Sequence, residues 1–274
     1  MAQSPFWGSE TLMQQQVLSP DVLAYGDSWF WYPANNLMIP INALWNGTRT
    51  VLVKGKLGAE LSEMVGGTPA LWNDFRGDIE GYPTIACLLL SGGGNDFAGM
   101  HNFPDLLKLD CSGAVTADDC FDVGQPANDI ERQPWRLMRQ LAKNYQSLID
   151  FVRSVRPDLP IILQAYDYAI PTGIGFGGIK GGLFGIGDWL QAPMNDRHVP
   201  QALQKDVVRR LIDDFVLTLS ALADPRQNTN VFFVNTVGTL EEFFDQAPMT
   251  ELLYADEREF AHVPYRRFML IGVK

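Results

Sequence analysis

Three residues of types used in acyl transfer stand just after three apolar runs. Ser28 lies in Tyr25-Gly26-Asp27-Ser28-Trp29-Phe30, after the run Val22-Leu23-Ala24. An apolar run that meets Gly and then a small polar residue reads as a buried strand ending in a tight turn. In an open α/β sheet, ligands bind at the carboxyl ends of strands, so a hydroxyl there faces a cleft. Asn95 lies in Gly92-Gly93-Gly94-Asn95-Asp96, after Ile85-Ala86-Cys87-Leu88-Leu89-Leu90. Gly58 lies in Lys54-Gly55-Lys56-Leu57-Gly58-Ala59, where it is expected to open a helix with free backbone N–H groups. A nucleophile attacking a carbonyl needs donors aimed at the oxyanion that forms. Ser28 N–H, Gly58 N–H and the Asn95 amide make three.

Each position has a plainer reading. A serine after a turn caps helices, and Gly, Asn and Asp dominate turns. Their recurrence at three strand ends favours chemistry. A serine nucleophile also needs a base, and the chain holds three histidines, His101, His198 and His262. Asp27, beside Ser28, reads as a brace for the turn rather than as the acid that orients a histidine.

Other chemistries find less support. Gly173-Ile-Gly175-Phe-Gly177-Gly178 fits the G-x-G-x-x-G pattern, but a dinucleotide site needs it tightly between a strand and a helix. Here more glycines follow, and a flexible apolar lid is the better reading, with Phe176, Leu183, Phe184, Ile186, Trp189 and Leu190 available to a greasy substrate. The sequence has no G-x-S-x-G elbow and no H-E-x-x-H or C-x-x-C pair that would suggest a metal. No cofactor is expected. The 274 residues carry a net charge of -11, unlike a nucleic-acid binder with clustered Lys and Arg. No run is long and apolar enough to predict a transmembrane helix. The start lacks the basic and apolar regions of a signal peptide. The default expectation is a cytoplasmic protein, and a secreted mature form is also compatible. Cys87 is expected to be a buried core thiol. Cys111 and Cys120 flank a polar loop and would close a local disulfide in an oxidising compartment.

Five apolar or β-branched runs read as strands, over 22–25, 49–54, 84–90, 159–165 and 230–235. Most lack strict alternation, as do strands covered on both faces. Helical stripes run over 135–155 and 202–223, with shorter ones over 59–65 and 240–245. The alternation predicts one α/β domain over 1–274, a three-layer α/β/α sandwich around a mainly parallel five-stranded, flavodoxin-like sheet. Two long connections, 99–132 and 169–198, interrupt it and suit lids or binding loops.

Together these motifs resemble the SGNH hydrolases, the GDSL-type esterases and lipases. Gly26-Asp27-Ser28 matches the family's first block, Gly58 its second, and Gly93-Gly94-Asn95-Asp96 its third. The resemblance spans nearly the whole chain. It implies a serine hydrolase of carboxylic esters, with Ser28 as nucleophile, His262 as base, and Ser28, Gly58 and Asn95 around the oxyanion. The fourth block, Asp-x-x-His in the family, departs: Glu259 stands three residues before His262, and Asp256 is a second candidate for the acid. The implied substrate is a small-molecule or lipid acyl ester. The departing block also keeps open a non-catalytic lipid- or carbohydrate-binding protein on the same fold, and an acetylesterase acting on polysaccharide differs only in substrate.

Overall fold

Alternation along the strands decides which side chains meet which layer. In the computed structural model, residues 6–7, 10–31, 37–97, 102–122, 133–173 and 190–238 are described. Among them six parallel strands form the sheet: β1 (Phe6–Trp7), β2 (Val22–Gly26), β3 (Val51–Gly55), β4 (Cys87–Ser91), β5 (Ile161–Gln164) and β6 (Val231–Val234). Their order in space is β1-β3-β2-β4-β5-β6. The five expected strands are present with bounds shifted by a few residues, and the two-residue β1 adds an edge. Apart from that edge the order is flavodoxin-like.

The helices are α1 (Glu10–Gln15), α2 (Ser28–Trp31), α3 (Met38–Leu44), α4 (Pro69–Gly81), α5 (Gly94–Phe97), α6 (Phe103–Leu106), α7 (Gln133–Val155), α8 (Gln191–Asp196) and α9 (Gln201–Leu222). Val22, Ala24, Val51, Val53 and Leu89 pack on Met38 and Ile41 of α3. The alternate residues Leu23, Tyr25, Leu52, Leu88 and Leu90 face a larger core with α4, α7 and α9. The chain leaves β2 towards β3 on one side, and every later step runs the other way. Right-handed crossovers then put α3 and the later helices on opposite faces. The stripes expected for α7 and α9 are the buried ones, through Leu141, Tyr145, Leu148 and Val152, and through Val207, Leu211, Phe215 and Leu219.

Several expectations need correction. Gly58 does not open a helix; it sits in a turn at φ +70°, and helical structure begins at Leu61, passing into a π turn over Glu63–Gly67. The first long connection carries α6, a 3-10 turn at Ala117–Cys120 and a bridge pairing Leu107 with Phe121. Cys111 and Cys120 are buried free thiols, with Cys111 Sγ donating to the Cys120 carbonyl at 3.4 Å. Cys87 is half-buried rather than buried, although burial still pushes its thiol up to about 11. The second connection ends in α8. Its glycine-rich stretch from 174 to 189 and the helix expected over 240–245 lie outside the described residues.

Candidate active site

β2 lies between β3 and β4, with Gly26 in register with Gly55 on one side and Ser91 on the other. The carboxyl ends of these strands therefore lie side by side, at the strand where the sheet order reverses. That switch point is the crevice in which open α/β sheets bind ligands. Gly26 is needed there, because a Cβ would stand 2.7 Å from the Ser91 carbonyl oxygen and 2.8 Å from the Phe30 ring.

For Ser28 the structure describes the backbone, which opens the short helix α2. The turn is set by Asp27: its Oδ1 accepts the Trp29 N–H at 3.1 Å, and its carbonyl accepts the Phe30 N–H at 3.2 Å. Asp27 is 1% exposed. Besides Trp29, Ser91 Oγ donates to Oδ1 at 3.3 Å, while Tyr166 OH and Asn95 Nδ2 donate to Oδ2 at 2.8 and 3.5 Å. Burial raises the Asp27 carboxyl above its ordinary value, and the hydrogen bonds from Tyr166, Trp29 and Ser91 oppose that rise. Four donors around one carboxylate are the arrangement that lets a buried anion persist.

Asn95 joins the three motifs. Its Nδ2 donates to the carbonyl of Ala59, next to Gly58, at 3.0 Å, and reaches Asp27, next to Ser28. Asp96 works beside it: Oδ2 accepts the Leu61 N–H at 2.8 Å and so fixes the start of the helical turn after Gly58. Burial first, then the nearby charges of Glu60 and Asp27, push the Asp96 carboxyl up to about 7 against the pull of the Leu61 N–H. Asn102, in the first long connection, donates to Glu60 Oε1 at 2.7 Å and ties that insertion to the β3–α4 turn. Trp29 and Leu57 flank Ser28 and Gly58 in sequence and are both exposed.

His262, Glu259, Asp256 and His101 lie outside the described residues. His198 does not: it sits on an exposed turn, with Nδ1 3.4 Å from Asp110. Among the described residues no three His, Cys, Asp or Glu side chains group as metal ligands, and no helix is long and apolar enough to cross a membrane. Ser91 and Tyr166 also belong to this cluster, although the motif blocks do not contain them. The signal available for both is position, a polar group at the carboxyl end of an apolar run.

No family model and no curated protein matches the sequence. Solved structures do. A lipase from a goat rumen metagenome aligns over 92% of this chain and 96% of its own, at 12% identity and a TM-score of 0.51. An extracellular lipase from Streptomyces rimosus aligns over 81% of this chain and 82% of its own, at 14% identity and a TM-score of 0.44. A GDSL-like lipase from Bacteroides ovatus aligns over 79% of this chain and 42% of its own, at 11% identity and a TM-score of 0.38. The likeness to the rumen lipase, over nearly all of both chains, is the one that bears on architecture. With the strand order and the crevice at β2 and β4, it shows that this chain shares the α/β fold of that lipase.

Proposed function

We propose that this chain is a serine hydrolase of carboxylic esters, a single SGNH-type domain with two long insertions. The observation that carries the reading is the Asn95 amide, whose hydrogen bonds reach the residues next to Gly58 and next to Ser28. Three motifs far apart in sequence thereby meet at the switch point.

In this reading Ser28 Oγ attacks the acyl carbonyl while His262 takes its proton. Glu259 or Asp256 orients the imidazole. The carbonyl oxygen becomes an oxyanion held by Ser28 N–H, Gly58 N–H and the Asn95 amide. Collapse breaks the ester C–O bond, and His262 returns the proton to the departing alcohol. Water, deprotonated by the same histidine, then attacks the acyl carbon; the C–Oγ bond breaks, His262 returns the proton to Ser28 Oγ, and the carboxylic acid leaves. No cofactor enters any step. Exposed Trp29 and Leu57, beside two of the donors, favour an apolar acyl chain, of lipid or small-molecule origin, over an acetyl group on polysaccharide.

The test is hydrolysis of p-nitrophenyl acetate and p-nitrophenyl octanoate by wild type, Ser28→Ala and His262→Ala, with fluorophosphonate labelling of Ser28. Both variants are expected to lose nearly all turnover, and Asn95→Ala about 100- to 1000-fold. A wild type no faster than Ser28→Ala on either ester sinks the enzyme reading in favour of non-catalytic binding of lipid or carbohydrate.

A further inference from the structure

Resting on the esterase reading above, we propose that Tyr166 is a positioning residue, whose hydroxyl occupies Asp27 Oδ2 and so leaves one N–H of the Asn95 amide available to the oxyanion. Tyr166 follows β5, outside every motif. Its hydroxyl donates to Asp27 Oδ2 at 2.8 Å, on the same oxygen that the Asn95 amide approaches only to 3.5 Å.

An amide nitrogen has two hydrogens. One is held by the Ala59 carbonyl at 3.0 Å. The other meets Asp27 at a distance beyond the usual range of about 2.7–3.2 Å for N–H···O bonds, so an acceptor placed in the crevice can win it. The tyrosine O–H, at 2.8 Å, lies well within the O–H···O range of that oxygen. Without it, Oδ2 loses its closest side-chain donor and draws the asparagine N–H inward.

The ring is built to hold the hydroxyl in place. It stacks on Phe215 at 5.4 Å and 12°, and meets Phe97 edge-on at 6.4 Å. Trp29 lies at 5.6 Å, its ring tilted by 35°. Gly94, which precedes Asn95, leaves room for it: a Cβ there would stand 3.0 Å from two ring carbons. One side chain therefore touches the residue before the serine, the residue after it, and the residue before the asparagine.

The experiment uses Tyr166→Phe, which keeps the ring. On p-nitrophenyl octanoate kcat is expected to fall on the order of 10-fold, less than for outright loss of an oxyanion donor, with KM within about twofold. The same substitution in an Asn95→Ala background should change nothing, since no amide is left to position. Tyr145→Phe is the control. It removes another buried hydroxyl, bonded to the Gly92 carbonyl at 2.8 Å, and should leave kcat unchanged. Equal kcat for wild type and Tyr166→Phe, or a full effect of Tyr166→Phe without Asn95, overturns the proposal while leaving an active esterase. A wild type no faster than Ser28→Ala overturns the esterase reading and this role with it. Should Tyr166→Phe not fold, 3-fluorotyrosine at 166 keeps ring and hydroxyl while making the phenol a stronger donor. A raised kcat at unchanged KM then supports the role, and an unchanged or lower kcat overturns it.

Discussion

Trp29 and Leu57 keep 38% and 46% of their surface in water, although each is apolar and each adjoins a proposed oxyanion donor. Covering such side chains with an acyl chain gains about 25 cal/mol per Å² of apolar surface removed from water. A long chain can collect that gain and an acetyl group cannot. Trp29→Ala is therefore expected to lower kcat/KM for p-nitrophenyl octanoate about tenfold while changing the acetate value little, and comparing the two esters checks it. An equal loss on both would mean that Trp29 serves the turn at Ser28 and not the substrate. At this scale the sequence marked the turns that carry Ser28, Gly58 and Asn95, because glycines stand at or beside each of them. Ser91 and Tyr166 donate to a buried carboxylate instead, and nothing in their local sequence says that Asp27 is what they face.

Elements are positioned here by charges as well as by apolar stripes, which explains why α4 is not visible in the apolar pattern. Its buried face carries Phe75, Asp78 and Ile79. Asp78 lies 3.6 Å from Lys54 Nζ of β3, and both side chains are almost fully buried. A charge in the middle of the stripe breaks the pattern, and its partner lies far away in sequence. Removing one member of a buried ion pair takes its opposite charge away from the other. Lys54→Met is thus expected to cost about 3–5 kcal/mol, while Lys54→Met with Asp78→Leu recovers most of it; urea unfolding of the two variants is the check. The start of the helical structure after Gly58 is held by a carboxylate too, and its titration gives a prediction with a definite sign. Asp96 is raised from 3.8 to about 7 on folding, so the native state binds the proton more tightly than the unfolded chain. Its contribution is fully present below the unfolded value and is lost as pH rises to about 7. Asp96→Asn keeps an acceptor for the Leu61 N–H and carries no charge. Its stability gain over wild type should be near zero at pH 4 and grow to on the order of 2–4 kcal/mol at pH 8. Thermal unfolding across that range tests it, and a gain that shrinks with rising pH would contradict the assignment.

Across the whole molecule the two ends of the sheet do different work. At the carboxyl ends lie Asp27, Asn95 and the glycine turns. At the amino ends, Arg153 of α7 and Arg156, just past the end of that helix, gather the loops that feed the strands. Arg153 donates to the carbonyls of Leu159, Thr229 and Asn230 at 2.7, 2.8 and 3.1 Å. Arg156 donates to those of Tyr82, Pro83 and Ile85 at 3.2, 3.3 and 2.7 Å. Hydrogen bonds from a charged donor contribute about 1.5–3 kcal/mol each, and part of this is regained from water in a variant. Arg153→Ala or Arg156→Ala should lower Tm by roughly 4–8 °C for a net loss of about 2 kcal/mol, with kcat and KM unchanged. The layered fold was legible from alternating runs and stripes alone. The arginine clamps were not, because backbone carbonyls carry no sequence signature.

This polarity along the strand axis has a consequence for selection. In a randomised library assayed twice, once fresh and once after heating, substitutions should separate by the end of the sheet they strike. Those near Arg153 and Arg156 would pass the first assay and fail the second. Those near Asp27 and Asn95 would fail the first. Improving heat tolerance and altering ester preference would then be separate searches over separate residues, whose gains should combine nearly additively.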